Sequence, residues 1–80
     1  MTSDPIPHDH ALDALGLLCP LPVLKARKAL LGLPSGQVLK LITDDPASII
    51  DVPHFCAESG TLLRQQSNEA GVFTFFLEKP

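Results

Sequence analysis

The spacing of apolar residues changes several times along this 80-residue chain, and each change marks an element. Near the C-terminal end "VFTFFLE" (residues 72–78) alternates: Phe73, Phe75 and Leu77 fall on one face of a strand, Thr74 and Glu78 on the other. Val72 and Phe76 share that second face. It is therefore partly apolar, and reads either as a docking surface or as a locally covered strand. "TLLRQQS" (61–67) precedes it, and "NEAG" between the two carries the glycine of a hairpin turn. "QVLKLIT" (37–43), led in by "PSG", is a further strand. "ALDALGL" (11–17) is also assigned to a strand, because Gly16 and the prolines beyond it would truncate a helix.

Helical spacing is clearest in "PLPVLKARKALLGL". Leu, Lys, Ala and Arg are strong helix formers, Pro20 is tolerated in a first turn, and Gly32 followed by Pro34 is a stop. The predicted helix spans residues 20–31. At about 100° per residue, Pro22, Val23, Ala26, Ala29, Leu30 and Leu33 gather on a core-facing arc. The opposite arc holds Lys25, Arg27 and Lys28 together with Leu21, Leu24 and Leu31. It is either a partner surface or the edge of a wide core stripe with ordinary exposed leucines. After the turn "DDPAS" (44–48), Pro53 interrupts the pattern. The expectation there is a short turn and then a helix over residues 51–58, with Asp51 as its N-cap and Gly60 as its stop.

The order βαβαββ predicts an α+β domain: a two-layer α/β sandwich with two helices on one face of a four-stranded mixed sheet. Residues 1–9, rich in Pro, Asp and His, are expected to form a flexible N-terminal tail, leaving residues 10–80 as a single domain.

Composition narrows the function. With 45% hydrophobic and 19% charged residues the chain is not a disordered acidic segment. A net charge of −3 and a pI near 5.4 argue against non-specific binding to nucleic acid or an anionic membrane. No apolar run approaches the roughly 20 residues of a membrane span. "MTSDPIPHDH" also lacks the basic patch and apolar stretch of a signal peptide. The expected location is the cytoplasm, where thiols stay reduced. Two cysteines are too few for a disulfide framework, so packing must supply the stability.

Cys19 stands between an apolar run and "PLP". With Pro20 as first helical residue, Cys19 is the N-cap, where unpaired N–H groups and the helix dipole favour a thiolate. Pro20 and Pro22 remove two first-turn donors, leaving chiefly Leu21 N–H for the sulfur. Activation is therefore expected to be partial, while proline stiffness fixes the sulfur's position. The segment bearing Lys25, Arg27 and Lys28 is +3 within a chain of −3. These cations act less on the thiol than in steering an acidic partner toward it. In a C-x-x-C motif the second thiol discharges a mixed disulfide, but here that position is Pro22. The absence favours carrying sulfur over exchanging electrons. A nucleophilic hydrolase would need a base such as His54, which nothing in the sequence places beside Cys19.

"LDALGLLCPLPVLKARKAL", then "DDPA", then "DVPHFC" followed by Gly60 and a final hairpin, resembles the TusA-like sulfur carriers, also called SirA- or YedF-like. The resemblance covers nearly the whole chain after the tail. It implies a small cytoplasmic sulfurtransferase of two-layer fold whose C-P-x-P cysteine, here Cys19 supported by Pro20, Leu21 and Pro22, accepts sulfane sulfur as a persulfide. It implies a cysteine desulfurase or rhodanese-like donor and a DsrE-like or other thiol protein as acceptor, in tRNA thiolation, molybdenum cofactor supply or sulfur oxidation. No metal or organic cofactor is expected, and the free chain is expected to be a monomer. Members that serve tRNA thiolation tend to carry an arginine before the cysteine and an acid between the prolines; Leu18 and Leu21 stand there. The alternative is a binding or regulatory module of the same fold, using the basic helix and the open sheet face.

Other residues carry weaker readings. Cys56 is a buried small hydrophobe or a second sulfur or redox site. His8 and His10 around Asp9 form a solvated tail or a weak metal site. Asp44 and Asp45 are turn caps.

Overall fold

The computed structural model describes residues 7–80, and the elements follow the predicted order: β1 (His10–Asp13), α1 (Leu21–Leu31), β2 (Val38–Thr43), α2 (Ser48–Ser59), β3 (Leu62–Glu69) and β4 (Val72–Glu78). The sheet runs β1-β2-β4-β3, with β1 parallel to β2 and both other pairs antiparallel. A parallel pair needs a crossover, which α1 supplies. Helix α1 packs on β2, α2 packs on β3 and β4, and the helices touch one another. The mixed sheet under two helices is the predicted sandwich.

Alternation builds the core. Leu39 and Leu41 of β2 stand beside Leu77 and Phe75 of β4 in the antiparallel register. Both pairs close against Ala26 and Leu30 of α1 and against Val52 and Cys56 of α2. Each fully buried Leu or Phe stabilises the fold by about 1.5–3 kcal/mol, so β2 and β4 form its centre. The core-facing arc predicted for α1 holds: Pro22, Ala26 and Leu30 are buried, with Val23, Ala29 and Leu33 partly so.

Three boundaries differ from expectation. Strand β1 ends at Asp13 rather than at residue 17, because Asp13 Oδ1 accepts Leu15 N–H at 2.9 Å and Gly16, at φ 81°, turns the chain away. Helix α2 begins at Ser48, and Pro53 lies inside it. Ser48, Val52 and Cys56 are buried at a spacing of four, and that packing carries the helix through the proline. Asp51 is thus not an N-cap. Asp45 starts the helix instead: its Oδ1 accepts Ala47 N–H at 3.2 Å, and its carbonyl accepts from Ser48 N at 3.0 Å and Ser48 Oγ at 2.7 Å. The third difference, at α1, belongs to the site below.

The hairpin turns at Ala70 and Gly71, with φ of 51° and 83°. Two consecutive positive φ values make the tight turn whose twist matches its strands. Of the expected tail, residues 1–6 lie outside the described residues. Asp9 is tied to the sheet, giving its N–H to Val38 O and accepting Val38 N–H on Oδ2, both at 2.9 Å. On the helix-free sheet face Phe76 is only 2% exposed, with the His8 ring 5.9 Å away between centroids. The covered-strand reading of that face therefore holds at Phe76. Val72 is exposed at the hairpin end.

Candidate functional site

Cys19 lies in the loop joining β1 to α1. The helix begins one residue later than expected: Leu21 is its first residue, Pro20 (φ −99°, ψ 16°) is the N-cap, and the Cys19–Pro20 peptide is cis. Cys19 is thus outside the cap. The Leu21 N–H that was expected to face the sulfur donates to Leu18 O at 2.8 Å.

Two neighbouring acids hold the loop. Asp44 Oδ1 accepts Gly16 N–H at 3.0 Å, and Asp45 Oδ2 accepts Cys19 N–H at 2.6 Å. Asp45 is 6% exposed, and its own N–H is anchored on the buried Thr43 Oγ1 at 3.2 Å. A carboxylate bonded to backbone N–H groups makes hydrogen bonds worth about 1.5–3 kcal/mol each. The pair read from sequence as turn caps therefore does two jobs, starting α2 and clamping the thiol's backbone. The second job spans 26 positions in the chain, and no local signal in the sequence could reveal it.

The thiol's electrostatic setting is the reverse of the expected one. Asp51, in the first turn of α2, lines the same groove as Cys19, and its carboxylate raises the pKa of the thiol. Desolvation and the charges of Asp51 and Asp45 act in the same direction. Carboxylates facing a sulfur oppose its ionisation.

Between α1 and α2 a groove of about 300 Å³ opens from Cys19, lined by Val23, Leu24, Arg27, Asp51, His54 and Phe55 among others. It continues past Arg27 and Phe55 toward Lys79 and Pro80. Of the three cations on α1, Arg27 lines the groove, while Lys25 and Lys28 are exposed outside it. Pro22 is buried, whereas Leu18, Leu21 and Leu24 around the thiol are exposed, Leu18 at 68%. On α2, Ile50 beside Asp51 is 75% exposed. His54 reaches the same groove, a proximity the sequence did not reveal. Its ring pairs with Glu58 at 3.4 Å on the exposed side of α2.

Cys56 is 5% exposed in the core, and burial pushes its thiol up to about 11. Both cysteines are free thiols. His10 bonds Gln37 Oε1 at 3.2 Å while His8 faces Phe76, so the H-D-H residues point to different partners. Among the described residues, no three His, Cys, Asp or Glu side chains are grouped to hold a metal ion.

Fold and site together define a small α+β sandwich that presents one exposed thiol on a clamped C-P-x-P loop. Residues 10–79 match the family model described as Sulfurtransferase TusA, and the chain belongs to that family. It is 45% identical over 71 residues to the sulfur carrier protein TusA of Allochromatium vinosum, covering 89% of this chain and 93% of that one. It is 43% identical over 72 residues to the sulfur carrier protein TusA of Pseudomonas entomophila, covering 90% of each. The crystal structure of a SirA-like protein from Desulfitobacterium hafniense superposes with a TM-score of 0.77 at 28% identity, covering 88% of this chain and 96% of that one. No helix among the described residues is long and apolar enough to cross a membrane.

Proposed function

We propose that this protein is a sulfur carrier that bears sulfane sulfur as a persulfide on Cys19. One observation carries the reading: Cys19 is exposed at the head of an open groove on a clamped loop, while the other thiol is sealed in the core. In loading, Sγ of Cys19 attacks the outer sulfur of a donor R–S–SH. The donor's S–S bond breaks and its inner sulfur leaves as the thiolate, which takes up the proton from Cys19. In delivery, an acceptor thiolate attacks the outer sulfur of Cys19–S–SH, and Sγ leaves. The sulfane sulfur keeps its oxidation level throughout, so neither step calls for an oxidant, a reductant or a cofactor.

With Pro22 where a dithiol protein has its second cysteine, the persulfide must be discharged by another protein. Turnover as a sulfurtransferase therefore depends on partners: a cysteine desulfurase or rhodanese-like donor, and a DsrE-like or other thiol acceptor, met in the cytoplasm by a monomer. Leu18, Leu21 and Leu24 form the apolar part of the docking surface, with Lys25, Arg27 and Lys28 as its charged part. Leucine at positions 18 and 21 favours sulfur trafficking or oxidation over tRNA thiolation. No observation favours the non-catalytic binding module.

Intact-mass measurement after incubation with a cysteine desulfurase and cysteine tests the proposal. The expected result is one added sulfur in the wild type and in Cys56→Ser, and none in Cys19→Ser. Equal loading of Cys19→Ser would overturn the assignment.

A further inference from the structure

A carrier must release what it binds, and the surroundings of Cys19 bear on which of its two states is favoured. The unloaded state is a thiol. The loaded state is a persulfide, whose terminal S–H is more acidic, so near neutral pH it is largely the anion. The two states thus differ by about one negative charge at the same spot.

The groups facing that spot come from three elements. Asp51 of α2 lines the groove together with Cys19, and Asp45 of the β2–α2 turn accepts the Cys19 N–H at 2.6 Å. Arg27 of α1 lines the same groove further along, and His54 and Glu58 of α2, which also line it, are paired with each other at 3.4 Å. The α1 terminus offers little compensation, since Leu21 N–H is taken by Leu18 O and Pro20 and Pro22 have none. Two carboxylates, Asp51 and Asp45, are therefore set beside Cys19. We propose that Asp51, backed by Asp45, poises Cys19 for release, favouring the neutral thiol over the negatively charged persulfide so that sulfur passes on to acceptors instead of accumulating on the carrier. The raised pKa of the Cys19 thiol has the same origin and the same sign.

This inference rests on the carrier reading, and its test separates the two. The exchange Cys19–SH + R–S–SH ⇌ Cys19–S–SH + R–SH conserves every atom and proton and can be set up with glutathione persulfide and glutathione at a fixed ratio. Wild type, Asp51→Asn and Asp51→Glu are compared for loaded fraction by intact mass, and for iodoacetamide alkylation of Cys19 across pH. Removing one unit charge at contact distance in water changes an equilibrium by about fivefold. Asp51→Asn should therefore raise the loaded-to-unloaded ratio about fivefold at pH 7.5 and accelerate alkylation at pH 7 by a similar factor. Asp51→Glu should stay near wild type. The loading difference should vanish at a pH low enough to protonate the persulfide. Unchanged loading and alkylation in Asp51→Asn, with normal loading of the wild type, would overturn the poise alone. No loading in any of the three proteins would overturn the carrier reading, and with it the release half of the inference, while the alkylation profile would still decide the electrostatic half.

Discussion

The two cysteines of this chain sit in opposite environments. Cys19 is exposed on a loop that hydrogen bonds hold by its backbone, and Cys56 is packed into the core beneath the sheet. Both thiols are pushed toward the protonated form, but for different reasons: carboxylates act first at Cys19, and burial at Cys56. A raised pKa therefore does not separate the exposed thiol from the buried one here. Access does. The fold stiffens the loop around Cys19 and leaves the sulfur itself uncovered.

The largest effect that bears on this contrast is in native-state alkylation. Cys19 reacts directly, whereas Cys56 must wait for the core to open. For a domain stable by about 5 kcal/mol, iodoacetamide should label Cys19 at least about a thousandfold faster than Cys56 under native conditions, and the gap should close in denaturant. Similar native rates would break the comparison. Next in size is the clamp. Asp45→Ala strands the N–H groups of Cys19 and Ala47 and should cost about 2–3 kcal/mol in chemical denaturation. By loosening the loop it should also slow sulfur uptake at least about tenfold. Retained stability with normal uptake would show that the loop holds itself.

Cys56→Ser places a hydroxyl in the core and should cost about 1–2 kcal/mol while leaving sulfur loading intact. The same pair of proteins exposes the pH effect. The folded-state pKa of Cys56, about 11, lies above the unfolded value of about 8.5. Its contribution to stability is thus complete below about pH 8.5 and is lost as pH rises toward 11. Wild type should lose stability over that window more steeply than Cys56→Ser, and parallel curves would contradict the assignment. The smallest change lies far from both thiols. Ala70 holds a positive φ that asparagine tolerates better, so Ala70→Asn should raise stability by about 0.5–1 kcal/mol without altering either cysteine's reactivity.

Much of this was legible in the sequence because it is periodic. The period of two placed Phe73, Phe75 and Leu77 in the core, and the period of 3.6 placed Pro22, Ala26 and Leu30 there as well. What the sequence did not yield depends on contacts between distant segments. The start of α2 was missed because Pro53 outweighs its neighbours in a local reading, while the burial of Val52 and Cys56 decides the matter in three dimensions. Cys19 stands out in the sequence by its C-P-x-P setting and is exposed in the fold, but the carboxylates around it act against the ionisation expected of it. Asp51 reads as a cap of its own helix, and only the packing of α2 against α1 brings it into one groove with the thiol. The clamp by Asp44 and Asp45 was hidden for the same reason.

The most direct test of the central claim locates the sulfur itself. The protein is loaded from a desulfurase, persulfides are trapped with iodoacetamide, and the digest is mapped by tandem mass spectrometry. The account predicts the extra sulfur on the peptide containing Cys19, with the Cys56 peptide carrying none. Trapped sulfur on Cys56, with Cys19 unmodified, would contradict it.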